Sequence, residues 1–289
     1  MNVAIVVVTY SSGEALATFL DSVSDATVEP VEVVLADNGS TDGSVEEAAH
    51  RNGVRLVRTG ANLGYGGGAN VGVAAADTEF VVVANPDVHW QPGSLDELLA
   101  AAARWPQAGS LGPMICTPQG DVYPSARALP SLGRGIGHAL CGWWWPTNPW
   151  TAAYRREREE LAERPADWLS GACLLLRRAA FDAVGGFDPG FFMYFEDLDL
   201  GDRLGRSGWL NVYVPSSVVV HTGGHATHRS AGVMAAQHHR SAWRYVSRRW
   251  AGWRWAPVRW VLWAGLGARS LLARRIPRVT AGAPPQRHQ

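Results

Sequence analysis

The chain has 289 residues, enough for one large domain with a substantial core, and its formal net charge is zero. Its three cysteines are far apart and odd in number, which argues against a disulfide framework or a zinc site and favours a reducing, cytosolic compartment. No run of about 18 uninterrupted apolar residues is present, so we expect no membrane-spanning helix. The first residues, MNVAIVVVTYSS, lack a basic leader and predict a strand, not a signal peptide.

Strand and helix patterns alternate over the first hundred residues. Short apolar runs rich in valine are each followed by turn residues and an amphipathic segment. We expect strands over Val3–Val8, Val31–Ala36, Val54–Val57 and Phe80–Ala84, and helices over Glu14–Val23, Val45–His50 and Ala69–Ala76. This alternation predicts an α/β fold whose mixed, mostly parallel sheet is covered by helices on both faces.

The second half of the chain has longer loops. Residues 105–170 are rich in Pro, Gly and Trp, and we interpret them as part of the same domain. The elements expected there are strands near Ala108–Leu111, Cys173–Leu176, Asn211–Val214 and Val218–Val220, and a helix over Asp197–Arg206. We expect one domain over residues 1–240, an amphipathic segment over 241–276 and a disordered tail over 277–289.

Polar residues follow the first strands. Right-handed crossovers place Thr9, Asp37, Asn62 and Asp87 on one rim of the sheet, where open α/β sheets bind ligands. Asp37 has two interpretations. It caps the following turn, as Asx side chains do, or it accepts a hydrogen bond from a nucleobase.

The segment Asn85-Pro86-Asp87, which follows the strand Phe80–Ala84, is a second candidate site. A type I turn explains Pro86 but assigns no role to Asp87. The carboxylate of Asp87 is also suited to Mg²⁺ or Mn²⁺, which take oxygen ligands and leave positions for phosphate oxygens, with His221 as a further ligand. His221 ends a later strand, and Arg229 follows it in a Gly-containing loop that would suit a diphosphate.

The segment NLGYGGGAN, residues 62–70, is interpreted as a glycine-rich loop. Gly64, Gly66 and Ala69 satisfy G-x-G-x-x-A, a dinucleotide-binding pattern, which leaves an NAD(P)-dependent oxidoreductase as an alternative function. The structural alternative is a helix entry where glycines allow close packing on the sheet.

The densest acid group is Glu196–Asp202, which follows a run of aromatic residues. Carboxylates beside apolar side chains have raised pKa values and can act as general bases, which favours Glu196 and Asp197 as catalytic candidates. Asp199 and Asp202 have a structural explanation, because each has an arginine four residues later, and acids favour the first turn of a helix.

Taken in order, these segments resemble the family 2 glycosyltransferases. The likeness is carried by VVVTYSSGEAL, ADNGSTDGS, NLGYGGGAN, ANPDV, WLSGACLLLRR, GGFDPGFFMYFEDLDLGDRL and the loop after His221, and it covers nearly all of residues 3–230. Within that family, VYPSARALPSL and NPWTAAYRRER are similar to the bacterial rhamnosyltransferases.

The resemblance implies a GT-A fold and an inverting, metal-dependent transfer of L-rhamnose in cell-wall linker synthesis. The implied donor is dTDP-L-rhamnose and the implied acceptor is N-acetylglucosaminyl-diphosphoryl-polyprenol. The Gln-x-x-Arg-Trp signature of processive synthases is absent, which favours transfer of a single sugar. Another sugar nucleotide or acceptor stays open, as does an inactive nucleotide- or membrane-binding module, although a module without activity needs neither Asp87 nor Asp197.

The resemblance also assigns residues to roles. Asp197 is the expected base with Glu196 beside it, and Asp87 and His221 are expected at the metal, where Asn85 replaces the first acid of a more common Asp-x-Asp. The residues expected along the nucleotide sugar are Thr9, Asp37, Asn62, Asn70, Asn85, Arg127 and Arg229. Trp168 and Gly171 are expected on the acceptor side.

The C-terminal region is rich in tryptophan and arginine, and no acidic residue follows Asp202. Tryptophan prefers the headgroup interface and arginine is drawn to anionic lipid, so we expect a helix lying on the inner face of the plasma membrane. A helix packed on the core and a homodimer contact are alternatives. Nucleic-acid binding is not expected, because no recognition motif accompanies the basic residues.

Overall fold

The computed structural model describes residues 2–130, 161–223, 231–260 and 263. The chain divides into two compact units, Met1–His228 and Arg229–Gln289.

The strands of the first unit are β1 (Val3–Thr9), β2 (Glu32–Asp37), β3 (Val54–Arg58), β4 (Phe80–Ala84), β5 (Val88–Trp90), β6 (Ala108–Cys116), β7 (Val122–Tyr123), β8 (Ala126–Arg127), β9 (Arg164–Ala166), β10 (Trp168–Leu169), β11 (Cys173–Arg177) and β12 (Leu210–His221). Its described helices are α1 (Glu14–Ala26), α2 (Ser44–Ala48), α3 (Gly64–Ala75), α4 (Ser94–Arg104), α5 (Arg178–Ala183) and α6 (Glu196–Arg206).

The main sheet has the order β3-β2-β1-β4-β11-β6-β12-β5. Strands β1 to β4 pair in parallel, as do β6 and β12, whereas β11 runs antiparallel between β4 and β6. Successive residues of each buried strand point to opposite faces. Helices α1 and α4 pack on one face, and α3, α5 and α6 pack on the other. The expected mixed, mostly parallel sheet with helices on both faces is therefore confirmed.

The structure adds elements that the sequence analysis did not predict. Helix α4 was absent from the expectation, although its buried residues Leu95, Leu98 and Ala102 have helical spacing. The two short strands expected after Leu210 form one strand, β12, whose register on β6 shifts between Val214 and Val218. Pro215 lies at this shift, because it has no N–H to give to a ladder.

The prediction of a glycine-rich loop over residues 62–70 is wrong, because α3 already begins at Gly64. The glycines instead bring the helix close to the sheet. A Cβ at Gly68 would lie 2.8 Å from Cγ1 of Val8, and one at Gly72 would lie 2.3 Å from Cγ1 of Val6. This is the close packing that the structural alternative for the G-x-G-x-x-A pattern requires.

In the second unit, α7 (Ala231–Arg249) is followed by a 3₁₀ turn over Trp253–Trp255. The helix thus begins ten residues before the segment that the sequence analysis assigned to the membrane surface. Within the described residues, no helix is both long and apolar enough to cross a membrane. The end of that segment and the tail expected to be disordered, 277–289, lie outside the described residues.

Candidate active site

The ends of β1 and β2 bring Thr9 and Asp37 side by side in register. Asp37 is 1% exposed, and its Oδ1 accepts hydrogen bonds from Thr9 Oγ1 at 3.2 Å and from the N–H of Ser40 at 2.9 Å. Its Oδ2 accepts a hydrogen bond from Arg58 Nη1 at 3.2 Å. Asp37 therefore has the turn-capping role that its position after a strand predicts, together with an arginine partner on β3 that the sequence analysis missed.

The ends of β4 and β12 bring Asn85, Asp87 and His221 together. The N–H of Val88 donates to the carbonyl of Asn85 at 3.3 Å, which closes the turn predicted around Pro86. Nε2 of His221 lies 3.0 Å from Oδ1 of Asp87 and 3.2 Å from Nδ2 of Asn85. Three candidate residues that are far apart in sequence thus form one cluster.

This cluster fits a divalent cation. Nε2 of His221 lies within hydrogen-bond distance of Oδ1 of Asp87 and of the side-chain amide of Asn85. A carboxylate oxygen and an unprotonated imidazole nitrogen are both able to ligate a divalent cation. The 3.0 Å between these two atoms would let both contact one ion. No group of three or more His, Cys, Asp or Glu suited to a metal occurs in the described residues, so substrate oxygens would complete the coordination.

Helix α6 begins one residue before Asp197. The two residues preceding the helix, Tyr194 and Phe195, have φ of 66° and 69°, in the left-handed region that favours glycine. Asp197 Oδ2 accepts a hydrogen bond from the N–H of Gly171 at 2.9 Å, and its Oδ1 accepts one from the N–H of Leu198 at 2.8 Å. Two backbone donors thus orient the carboxylate of Asp197, a residue of intermediate exposure.

The adjacent Glu196 differs in environment. It is 7% exposed, and its Oε2 has no hydrogen-bond partner within the described part of the chain. Burial, with the charge of Asp197, raises the pKa of Glu196 to about 8. Burial also raises the pKa of Asp197, but the N–H groups of Gly171 and Leu198 and the charge of Arg127 act in the opposite direction. These opposing effects act on Asp197 alone, so the surroundings favour the neutral form more strongly at Glu196 than at Asp197.

Gly171 links Asp197 to helix α3. The hydroxyl of Tyr65 donates to the carbonyl of Gly171 at 2.5 Å, while the N–H of Gly171 holds Asp197. Burial raises the pKa of Tyr65 well above its ordinary value, so its hydroxyl keeps the proton that it donates. A Cβ at Gly171 would lie 3.1 Å from that of Asp197. Tyr65 is not predicted from the sequence, where its place among the glycines of α3 is the only signal that points to this region.

Two asparagines expected along the nucleotide sugar make local hydrogen bonds. Asn62 Oδ1 accepts a hydrogen bond from the N–H of Gly64 at 3.1 Å, and this bond forms part of the helix entry. Asn70 Nδ2 donates to the carbonyl of Phe187 at 2.8 Å, and its Oδ1 accepts from the N–H of the same residue at 2.9 Å. The Asn70 amide therefore joins α3 to the segment that leads into α6.

Arg127 and Trp168 lie opposite each other in the small antiparallel sheet of β8 and β10. The guanidinium carbon of Arg127 is 5.2 Å from the centre of the Trp168 ring, and Trp168 Nε1 donates to the carbonyl of Ala128 at 3.1 Å. Trp168 packs against α6, where a Cβ at Gly201 would lie 2.6 Å from its Cβ. Arg127 and Trp168 are thus on the same side of the site as Asp197.

The remaining candidates divide into two groups. The ion pairs expected for Asp199 with Arg203, at 2.7 Å, and for Asp202 with Arg206, at 2.6 Å, are confirmed, so both acids have structural roles. Arg229 lies outside the described residues.

Glycosyl transferase family 2 matches residues 4–185. An N-acetylglucosaminyl-diphospho-decaprenol L-rhamnosyltransferase from two strains of Mycobacterium tuberculosis is 55% identical over 283 residues, which cover 94% of this chain and 92% of that protein. The rhamnosyltransferase WbbL of Escherichia coli K12 is 25% identical over 258 residues, covering 86% of this chain and 93% of its own.

Among solved structures, the mannosyltransferase PcManGT of Pyrobaculum calidifontis, in complex with GDP-Man and Mn²⁺, is similar with a TM-score of 0.57. The match covers 94% of this chain and 74% of PcManGT at 17% identity. At this identity the likeness concerns the fold, and it confirms the expected GT-A architecture. Because the family match spans more than half of the sequence and a relative of more than 50% identity spans nearly all of it, the chain belongs to glycosyl transferase family 2.

Proposed function

We propose that this glycosyltransferase moves L-rhamnose from dTDP-L-rhamnose to N-acetylglucosaminyl-diphosphoryl-polyprenol, with inversion, as a step of cell-wall linker synthesis. The observation that carries the proposal is the 55% identity, over 94% of the chain, to a protein named for this acceptor and this sugar. The site supports the same chemistry, because it combines an oriented carboxylate with a cluster suited to a divalent cation.

Asp197 is the proposed general base. Its ionised carboxylate takes the proton of an acceptor hydroxyl, and that oxygen forms a bond to the anomeric carbon of the donor. The bond from this carbon to the diphosphate breaks on the opposite face, and its electron pair leaves with the nucleoside diphosphate. The two backbone N–H donors hold Asp197 in place, and burial raises its pKa and so its basicity.

Asp87 and His221 would hold Mg²⁺ or Mn²⁺, with the side-chain amide of Asn85 beside them. When bound, such a cation stabilises the negative charge that develops on the leaving diphosphate. Thr9, Asp37 and Arg58 end β1, β2 and β3, which lie one, two and three strands away from β4 in the sheet. We propose that these three residues bind the nucleoside.

We also propose a peripheral place on the inner face of the plasma membrane. A polyprenyl acceptor is reached at a membrane surface, and the second unit has solvent-exposed tryptophans at that unit's described end. Their exposed fractions are 84% for Trp253, 41% for Trp255, 68% for Trp260 and 55% for Trp263. Tryptophan beside arginine suits the headgroup region of anionic lipid.

The proposal is tested with purified protein, dTDP-L-rhamnose, Mg²⁺ or Mn²⁺, and a short-chain N-acetylglucosaminyl-diphosphoryl lipid, with products followed by mass spectrometry. We expect a rhamnosylated lipid, loss of turnover with EDTA and recovery when either cation is restored. Asp197→Asn should lower kcat by about 100-fold or more, since that is the usual contribution of a general base.

Glu196→Gln separates the two adjacent carboxylates, because it keeps a neutral side chain where the wild type has a protonated one. It should retain most of the turnover that Asp197→Asn loses, with thermal unfolding showing that both variants are folded. Equal losses in the two variants would contradict Asp197 as the base. If the wild type forms no rhamnosylated product from dTDP-L-rhamnose but transfers a sugar from another sugar nucleotide, the proposed donor is wrong.

A further inference from the structure

The guanidinium of Arg127 is held in place by several contacts and still has hydrogen-bond donors available. Its guanidinium carbon lies 5.1 Å from the ring centre of Tyr123 and 5.2 Å from that of Trp168. Its Nε donates to the carbonyl of Pro124 at 2.7 Å, and its Nη2 donates to the hydroxyl of Tyr123 at 2.6 Å. Within residues 2–130 and 161–223, no carboxylate pairs with Arg127 and no hydrogen-bond acceptor occupies its Nη1. A planar cation held between two rings with a free edge is suited to an anion.

The position of Arg127 follows from the segment Trp168–Ala172. In chain order, Trp168 faces Arg127, the N–H of Gly171 binds Asp197, and the carbonyl of Ala172 accepts a hydrogen bond from the N–H of Asn85 at 2.9 Å. The expected metal cluster is therefore at one end of this segment, Arg127 is at the other, and Asp197 is between them.

The order of metal cluster, Asp197 and Arg127 matches the order of donor diphosphate, acceptor hydroxyl and acceptor diphosphate in the two substrates. The donor diphosphate belongs at the metal cluster, and the base faces the acceptor hydroxyl. In a sugar linked to a diphosphoryl lipid, the attacked hydroxyl and the diphosphate are on the same ring. Trp168 and Gly171 are three positions apart in the chain, which places them at most about 11 Å from each other, so Arg127 and the base lie within reach of one bound sugar and its diphosphate.

We propose that Arg127, Tyr123 and Trp168 form the acceptor subsite, in which the guanidinium pairs with the diphosphate of the lipid-linked acceptor and the rings contact its sugar. This inference rests on the proposed function. It also changes the expectation from the sequence, which placed Arg127 along the donor nucleotide sugar. Tyr123 is 39% exposed, so its ring is accessible to an incoming sugar.

The test compares two acceptors that share the sugar and the lipid chain, one joined through a diphosphate and one through a neutral ether. For the diphosphate acceptor, Arg127→Gln should lower kcat/KM by about 10- to 100-fold, the value of a charge-assisted bidentate contact. For the ether acceptor it should change kcat/KM less than about 3-fold, and the KM for the donor should stay the same. Arg127→Lys, which keeps the charge but not the planar fork, should fall in between and serves if Arg127→Gln is unstable.

The matched control is Arg104→Gln, which removes a half-exposed arginine paired with Glu163 on the surface. It should leave the preference for the diphosphate acceptor unchanged. A raised KM for the donor in Arg127→Gln, or equal losses with both acceptors, would overturn the assignment. If the wild type transfers rhamnose and Arg127→Gln has the same kcat/KM, only the assignment of the acceptor subsite is wrong. If the wild type transfers no rhamnose, the proposed function is wrong as well.

Discussion

Glu196 and Asp197 are adjacent carboxylates, yet the fold gives them different surroundings. Asp197 accepts two backbone hydrogen bonds and remains partly exposed, whereas Glu196 is buried and its Oε2 has no partner within the described residues. Hydrogen bonds to a carboxylate stabilise the ionised form, and burial without them stabilises the neutral form. The sequence selects both acids, and the surroundings of each decide which one can take a proton.

The raised pKa of Glu196 predicts a pH-dependent stability. The folded state keeps the proton up to a pKa of about 8, while the ordinary value for the unfolded chain is 4.5. Between these values the folded state binds more protons, so the wild type should lose stability as the pH rises from 5 to 8. Glu196→Gln cannot ionise, and its melting temperature should therefore fall less steeply over that range, as thermal unfolding at several pH values would measure.

Glu163→Gln is a control for this prediction. The hydrogen bond from Arg104 lowers the pKa of Glu163, so the stability that this carboxylate contributes is complete above its ordinary pKa and is lost only in acid. Its replacement should lower the melting temperature without changing the slope between pH 5 and 8. If Glu196→Gln has the same slope as the wild type, the proton is not on Glu196.

At the scale of elements, α3 connects the sheet to the active site. Its glycines bring it close to β1, and its Tyr65 and Asn70 bind the segments that carry Gly171 and Phe187. A helix so rich in glycine has low intrinsic stability, because glycine loses more backbone entropy than alanine. Its packing on β1 offsets that loss and also positions Tyr65.

Two helical glycines test this explanation with opposite signs. Gly72→Ala places a Cβ 2.3 Å from Cγ1 of Val6, and the overpacking should outweigh the gain in helix propensity and lower the free energy of unfolding by about 1–2 kcal/mol. Gly205→Ala, in α6, meets nothing within 4 Å and should raise it by about 0.5 kcal/mol. Urea unfolding measures both, and a stabilised Gly72→Ala would contradict the packing role.

At the scale of the whole molecule, charge is separated along the chain. All 26 acidic residues precede Arg203, and 14 of the 26 arginines follow Asp202. A zero net charge therefore conceals an acidic N-terminal part and a basic C-terminal part. The basic part includes the exposed tryptophans of the second unit, and this combination favours an anionic lipid surface.

This arrangement predicts binding to vesicles that contain phosphatidylglycerol. Each arginine near the surface contributes about 1 kcal/mol, so binding should weaken as salt is raised. The double substitution of Trp253 and Trp260 by serine should lower vesicle affinity about tenfold or more, as sedimentation with vesicles would show. Val28→Ser removes an apolar side chain that is 89% exposed in the first unit and should have no effect. Equal binding by neutral and anionic vesicles would contradict the electrostatic part.

The sequence by itself determined the alternation of strands and helices from β1 to β4 and most of the polar strand ends. These follow from local patterns, because the period of apolar residues and the turn residues after each run depend on a few neighbouring positions. For the same reason the ion pairs of Asp199 and Asp202 within α6 were predictable from i,i+4 spacing.

Only the tertiary structure decided which distant residues meet. The hydrogen bond of Tyr65 to Gly171 joins residues 106 positions apart, and that of His221 to Asp87 joins residues 134 apart. The glycines of α3 allow close packing on β1, and this role is visible only once the helix lies on that strand. The pairing of β8 with β10 is what places Arg127 opposite Trp168. Such contacts depend on how the strands are ordered in the sheet, and no local pattern contains that order.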